Sequence, residues 1–262
     1  MSRQQDPDVA ITCSDLSLAW SAGGRGAIGR VVEGLSFVLP RGGAVAIMGP
    51  TGSGKSSLLA VFSGRADDTL RVDGGDALVE GVSVRRPGRA RRLQIAYTGY
   101  LPQGAGASLD ARMTVGELIA EPITIRDRKV NQRALAVRTA ALLDEMQLPL
   151  GAAIKFPYEL SAGMRQRVAL ARALVLQPRI LLADEPHANL DIEVRHVVRD
   201  AIVRRRAEYG MATVVATNDP ALPGELDARR IVLHQGHVVA EDAASGLLWT
   251  PSAEADHRLV SS

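Results

Sequence analysis

The string Gly49-Pro50-Thr51-Gly52-Ser53-Gly54-Lys55-Ser56 constrains this chain more than anything else in it. It is a complete G-x-x-x-x-G-K-S, and its flanks matter as much as its letters. Ala44 to Met48 ahead of it are apolar on both faces, as a strand buried inside a sheet must be. From Lys55 to about Ser63 the sequence reads as a helix. A glycine-rich turn in that setting lets backbone N–H groups point inward as a nest for phosphate oxygens, and the helix adds the positive end of its dipole. In such a turn Lys55 reaches the β- and γ-phosphates, and the Ser56 hydroxyl is a ligand for Mg²⁺.

Composition narrows the setting. With 262 residues, 46% of them hydrophobic, the chain suits one large domain or two small ones with a sizeable core. Thirty-one Lys and Arg against 29 Asp and Glu leave a formal charge of +2, which argues against a nucleic-acid partner bound by bulk electrostatics. Lys55, Lys129 and Lys155 are the three lysines, so a lysine-dependent role has few candidates. One cysteine, Cys13, excludes an intramolecular disulfide. No run approaches the roughly 18 apolar residues of a membrane span, and MSRQQDPDVAIT does not read as a signal peptide. The expectation is a soluble, intracellular protein.

Strand-like apolar runs alternate with helical stretches, the pattern of a mainly parallel sheet covered by helices. Val9 to Pro40 reads as short strands around the glycine-rich SAGGRGAIG (21–29), and 71–97 as short strands around Asp73-Gly74-Gly75. RRPGRARR (85–92) reads as a solvated, mobile insertion, since no aromatics suited to base stacking interleave it. Thr114 and Glu117 have capping-box spacing at the head of a helical section reaching Pro157. A helix from about Ala162 to Gln177 precedes a buried strand, Arg179 to Ala183. A helix through Val194 to Ile202, on which Arg204-Arg205-Arg206 is a solvated face, leads to the buried strand Thr213 to Thr217 and a closing hairpin over 230–239. The expected fold class is α/β: a P-loop, RecA-like core with an N-terminal antiparallel β subdomain and a helical insertion. In residue terms this is one domain over 9–240, with the insertion at about 105–160, and a short tail over 241–262.

The strand Ile180-Leu181-Leu182-Ala183 ends in Asp184-Glu185. Beside a phosphate cradle, the first carboxylate suits Mg²⁺ and the second suits orienting or deprotonating an attacking water.

Shortly before that strand stands Leu160-Ser161-Ala162-Gly163-Met164-Arg165-Gln166-Arg167-Val168. Here the sequence resembles the ATP-binding cassette (ABC) ATPases, whose signature is LSGGQ or a close variant. Further pieces follow in the family's order. Gln103, after Tyr100-Leu101-Pro102, resembles the Q-loop glutamine, Ala188-Asn189-Leu190-Asp191 resembles the D-loop, and Trp20 stands where the family places a ring that stacks on adenine. The resemblance covers Val9 to Ala240 and implies ATP and Mg²⁺ as cofactors. It implies that Trp20, Gly49 to Ser56 and Ser57 hold the nucleotide, that Ser56, Gln103 and Asp184 hold the metal, and that Glu185, Gln103, Lys55 and the residue at 218 act in hydrolysis. It further implies that Asp191 belongs to the nucleotide-binding set, and that Ser161 and Gly163 serve a nucleotide on a second cassette, the same chain or a different one. The implied partners are that cassette, transmembrane permease subunits at the cytoplasmic face of a membrane and, for an importer, a solute-binding protein indirectly. Arg165, Arg167 and Arg172 are left open between contacts to phosphate or partner and a solvated helix face.

One departure stands out. After Thr213 to Thr217 the family carries histidine then aspartate; here the pair is Asn218-Asp219. An asparagine amide donates and accepts, but it neither becomes cationic nor relays a proton. The site is thus expected to turn over slowly, or to bind ATP while a partner cassette hydrolyses it. His187, two residues past Glu185, is a possible stand-in. The stretch MRQRV (164–168), with 107–122, resembles the oligopeptide, dipeptide and nickel importers, whereas 184–191 looks more like lipoprotein-release and macrolide exporters.

Overall fold

The computed structural model describes residues 8–21, 27–243 and 246–249. Residues 22–26 of the expected glycine-rich loop, and the tail from 250 onward with His257, lie outside the described residues. The elements run β1 (Val9–Ser21), β2 (Ala27–Pro40), β3 (Ala44–Met48), α1 (Lys55–Phe62), β4 (Leu70–Val79), β5 (Val82–Ser83), α2 (Arg91–Tyr97) and β6 (Thr98–Leu101). They continue α3 (Val115–Arg126), α4 (Gln132–Glu145), α5 (Ala162–Leu174), β7 (Ile180–Asp184), α6 (Ile192–Tyr209), β8 (Ala212–Thr217), α7 (Leu222–Glu225), β9 (Arg229–His234), β10 (His237–Ala243) and β11 (Gly246–Trp249).

Two sheets result. The strand order β2-β1-β4-β5 makes an antiparallel sheet, and β11-β10-β9-β3-β8-β7-β6 a mixed one whose β9-β3-β8-β7-β6 section is parallel. Side-chain alternation accounts for the all-apolar central strands. On β7, Ile180 and Leu182 pack with β1, β2, β4 and α1 in one core, and Leu181 and Ala183 pack with α3, α4, α5 and α6 in the other. Helices therefore cover one face of the mixed sheet, and α1 with the antiparallel sheet covers the other.

Three segments depart from the sequence reading. The Asp73-Gly74-Gly75 stretch does not break the chain into separate strands. It is carried as an irregularity inside β4, where the register against β1 shifts between Ser14 and Ser17. Residues 91–97 form α2, which takes in the end of the basic stretch and replaces the strand expected over 93–97. Gln94 is buried and donates to Val61 O and Phe62 O at 2.9 and 3.0 Å, while Arg91 donates to Gly64 O and Ala66 O. These side chains bond carbonyls at the end of α1 and in the turn after it, a long-range use that no local pattern displays. Nor is Arg204-Arg205-Arg206 a simple solvated face. Arg205 is buried against Glu145 of α4 at 2.5 Å, Arg204 reaches the same carboxylate at 2.9 Å, and Arg206 donates to Gly42 O and Leu226 O.

Other local signals are realised. Thr114 and Glu117 close their capping box, with Thr114 N–H donating to Glu117 Oε2 at 2.7 Å and Glu117 N–H to Thr114 Oγ1 at 3.3 Å. A non-helical turn over 127–131 separates α3 from α4, so the helical section expected up to Pro157 is not continuous.

Candidate active site

In the mixed sheet β3 lies beside β8, and β8 beside β7, all parallel. Their C-terminal ends therefore open on one side, where an α/β sheet ordinarily places a ligand. The turn after β3 supplies 49–54, the end of β7 supplies Asp184 and Glu185, and the end of β8 supplies Asn218.

The turn depends on its glycines. Gly49 has φ 136°, and a Cβ there would lie 2.0 Å from Leu233 O on β9. Gly54 has φ 101°, and its Cβ would lie 2.5 Å from Val31 O. Side chains are excluded at both positions by conformation and by space. The tight turn leads directly into α1 at Lys55.

A cleft of about 210 Å³ lies over these ends, lined by the turn and α1 residues Thr51, Gly52, Gly54, Lys55, Ser56 and Ser57. Across it stand Asp184, Glu185 and Asn218, and Trp20, Val31 and Gln103 complete the wall. Trp20 keeps 42% of its surface exposed. Gly49, Pro50 and Ser53 stand behind the lining. The Gly49 and Pro50 carbonyls accept the Lys55 ammonium at 2.5 and 3.0 Å, and Ser53 is buried.

Opposed charges meet here, with Lys55 and Asp184 both buried. Burial lowers the Lys55 pKa, while Glu185 and then Asp184 pull it back upward. Burial raises the Asp184 pKa against a hydrogen bond from Ser56 and the charge of Lys55. Asp184 Oδ2 is buried without a hydrogen-bond partner. An acidic oxygen so placed, next to a hydroxyl, is a donor set that a small hard cation fits. The residues present thus fit Mg²⁺, with Asp184 and Ser56 as the protein oxygens and Gln103 on the same wall.

Glu185 departs from the sheet at φ 48°, a left-handed conformation for a non-glycine residue, with its N–H bound to Ala216 O at 2.8 Å. Its carboxylate is held on both oxygens. The Thr217 hydroxyl donates to Oε2 at 3.1 Å and the Asn218 backbone N–H to Oε1 at 2.9 Å. The residue-218 side chain takes no part in those two bonds.

Ser161, Gly163 and Asp191 are not brought into the cleft. Ser161 caps its own helix, its hydroxyl accepting the Met164 N–H at 3.2 Å. At Gly163 a Cβ would lie 3.1 Å from Asn189 O and 3.4 Å from Leu190 Cδ2, so α5 rests against the segment after β7. Asp191 is exposed at the start of α6. Ala162, in place of the family's first glycine, is accommodated as the first residue of α5.

The arginines left open above serve the chain's own fold. Arg165 donates to Leu160 O at 2.7 Å, Arg167 to Met146 O at 2.8 Å, and Arg172 pairs with Glu121 at 2.5 Å. His187 does not stand in for a histidine at 218. It is 5% exposed, stands 3.5 Å from Asp219 Oδ2 and is absent from the cleft lining. Burial lowers its pKa, opposed chiefly by Asp219. Two residues escaped the sequence reading. Val31 carries no signal, since it reaches the cleft from an irregularity in β2, where Leu18 pairs with Val32 and Ala19 with Arg30. Thr217 offered one, a hydroxyl ending an apolar strand directly before residue 218.

The sequence profile described as ABC transporter matches residues 32–188, more than half of the chain. The chain belongs to the ABC transporter family. It is 33% identical over 241 residues to the oligopeptide transport ATP-binding protein OppD of Mycobacterium tuberculosis, covering 90% of this chain and 38% of that one. It is 34% identical over 221 residues to the Fe(3+) ions import ATP-binding protein FbpC of Pseudomonas fluorescens, covering 84% and 59%. This ABC transporter chain thus spans well under two thirds of either relative. A solved dimer of MJ0796, described as a bacterial ABC transporter cassette, superposes with TM-score 0.78 at 25% identity, covering 88% of this chain and 97% of that one. The relatives' names divide between oligopeptide and Fe(3+) ions, so the oligopeptide branch is not singled out. Among the described residues no helix is long and apolar enough to cross a membrane.

Proposed function

We propose that this chain binds and hydrolyses ATP to power a membrane transporter, working as one of a pair of cassettes. One observation carries the reading: Lys55, Ser56, Gln103, Asp184, Glu185 and Asn218, drawn from segments far apart in sequence, line a single cleft with Trp20 at its edge. In this reading the adenine stacks on Trp20, and the backbone of 49–54 with Lys55 holds the phosphates. Asp184, Ser56 and Gln103 hold Mg²⁺, which neutralises charge on the phosphate oxygens when bound. Glu185 orients the attacking water and accepts its proton. Ser161, Gly163 and Asp191 face the nucleotide of a second cassette, which accords with their lying outside this chain's own cleft.

Transmembrane permease subunits are the proposed partners, with this chain at the cytoplasmic face. The transported material is proposed to be a peptide or another small solute taken up by import, which the name of OppD supports. A second reading has a specific observation in its favour. Asn218 lacks an imidazole, so this site would bind ATP and leave most hydrolysis to a partner cassette with a histidine there, or the chain would serve a lipoprotein-release or macrolide-type exporter, as 184–191 resembles.

Equilibrium dialysis of the full chain with magnesium and ATP tests the central reading. One nucleotide per chain is expected, with affinity falling on the order of 10–100-fold in Lys55→Ala, the worth of a hydrogen bond to a charged group. No uptake by the unsubstituted chain would overturn it.

A further inference from the structure

Thr217 ends β8 with no exposed surface, and its hydroxyl has two neighbours rather than one. It donates to Glu185 Oε2 at 3.1 Å and accepts the backbone N–H of Asp219 at 3.0 Å. A hydroxyl carries a single proton. Since the Asp219 N–H already points at a lone pair of Oγ1, that proton is directed to the carboxylate. The Asn218 N–H takes the other carboxylate oxygen. Both oxygens of Glu185 are thereby gripped by two consecutive residues at one strand end, with the Asp219 N–H orienting the first of them.

The grip is anchored from behind. Asp219 accepts the Ala221 N–H at 3.0 Å and pairs with Arg195 of α6 at 2.8 Å. This holds the 217–219 backbone in the shape that presents both donors. Nothing in the chain of contacts uses the Asn218 side chain, which is the part that departs from the family.

We infer that Thr217 is a positioning residue for hydrolysis: its hydroxyl fixes the Glu185 carboxylate at the mouth of the cleft, whatever side chain stands at 218. The inference rests on the reading that Glu185 activates water beside bound MgATP. A purely structural Thr217, satisfying the half-buried Asp219 N–H and nothing more, makes different predictions.

Two measurements separate the cases, each on Thr217→Val, Thr217→Ser and Asn218→Ala. The first is amide hydrogen exchange of the ligand-free full chain, which needs no nucleotide. Thr217→Val is expected to lower protection of the Asn218 and Asp219 amides at least tenfold, Thr217→Ser to keep it within threefold, and Asn218→Ala to keep that of residue 218. The second is steady-state phosphate release by the assembled complex. Thr217→Val is expected to lower kcat at least tenfold with KM for MgATP within twofold, and Thr217→Ser to recover most of kcat. If the valine variant does not fold, Thr217→Cys, a weaker donor of similar size, is expected to give intermediate values in both.

The inference is overturned if Asn218 protection is unchanged in the valine or cysteine variant. It is overturned equally if kcat stays within twofold, if the loss appears in KM alone, or if serine fails to rescue. Absence of MgATP uptake by the unsubstituted chain instead overturns the nucleotide reading, and the exchange measurement still judges the grip itself.

Discussion

Restoring an imidazole at position 218 is the sharpest test of why this cleft differs from its family's pattern. Asn218 is exposed and lies one residue beyond β8, so Asn218→His introduces no burial. A surface change of this kind alters stability by no more than about 0.5 kcal/mol. The backbone N–H of residue 218 keeps its 2.9 Å bond to Glu185 Oε1 whatever the side chain, so the carboxylate stays in place. What changes is one donor at the cleft wall. A neutral hydrogen bond contributes about 0.5–1.5 kcal/mol and one involving a charged donor about 1.5–3 kcal/mol. The difference, about 1 kcal/mol if made fully in the transition state, corresponds to roughly fivefold in rate. The assay is phosphate release by the purified complex at saturating MgATP, with a Glu185→Gln background as control. A rise in kcat of about that size, with KM little changed and none in the control, is expected. An unchanged or lower kcat refutes the argument that the missing imidazole limits this site.

Four further outcomes are expected. Glu185→Gln keeps every binding group but loses the proton acceptor, so size measurement with MgATP should find a persistent cassette dimer; a chain that stays monomeric with its partners present contradicts this. Gly163→Ala pushes a Cβ to 3.1 Å from Asn189 O, yet the better helix former offsets about 1 kcal/mol; thermal melting should barely move while ATP-driven pairing is lost, and preserved pairing refutes the role. Glu145→Gln, removing the charge that joins α4 to Arg204 and Arg205 of α6, should cost about 3 kcal/mol in denaturant unfolding. Burial pushes the Glu145 carboxyl up, but Arg205 and Arg204 bring it net below its usual 4.5, so its folded state binds protons less readily than its unfolded state. That contribution is complete above about pH 5 and fades as pH falls through the lowered value, and the Gln variant should show a correspondingly shallower acid limb.

Much of this architecture could be read before any coordinates. The cradle was legible because a glycine-rich turn binding phosphate has few chemical solutions, and its flanking strand and helix announced themselves by apolar pattern. The acid pair on β7 was legible for the same reason. What escaped was long-range and polar. Arg205 and Arg206 look like a charged surface on a helical wheel, yet one reaches Glu145 sixty residues back and the other bonds carbonyls of Gly42 and Leu226. Arg165 and Arg167 bond carbonyls of their own chain and Arg172 pairs with Glu121, partners that their sequence surroundings do not encode. Even α2 was misread because Gln94 and Arg91 are spent on the end of α1, not on local capping.

The same logic explains why His187 misled. Its spacing from Glu185 places it within reach on paper, but the chain turns at Glu185 with φ 48° and carries residue 187 inward, toward Asp219. Asp219 thus stands between the imidazole and Thr217, accepting Arg195 while its own N–H binds the Thr217 hydroxyl. An acid that supports the Glu185 grip through its backbone and α6 through its side chain is a poor place for a proton relay. The arrangement favours rigidity at this strand end over proton transfer through it. If so, disrupting the Arg195 pair with Arg195→Gln should loosen Asn218 and Asp219 in hydrogen exchange without altering the lining of the cleft. Unchanged protection in that variant would mean that the 217–219 backbone holds its shape unaided, and the support from α6 would then have no part in placing Glu185.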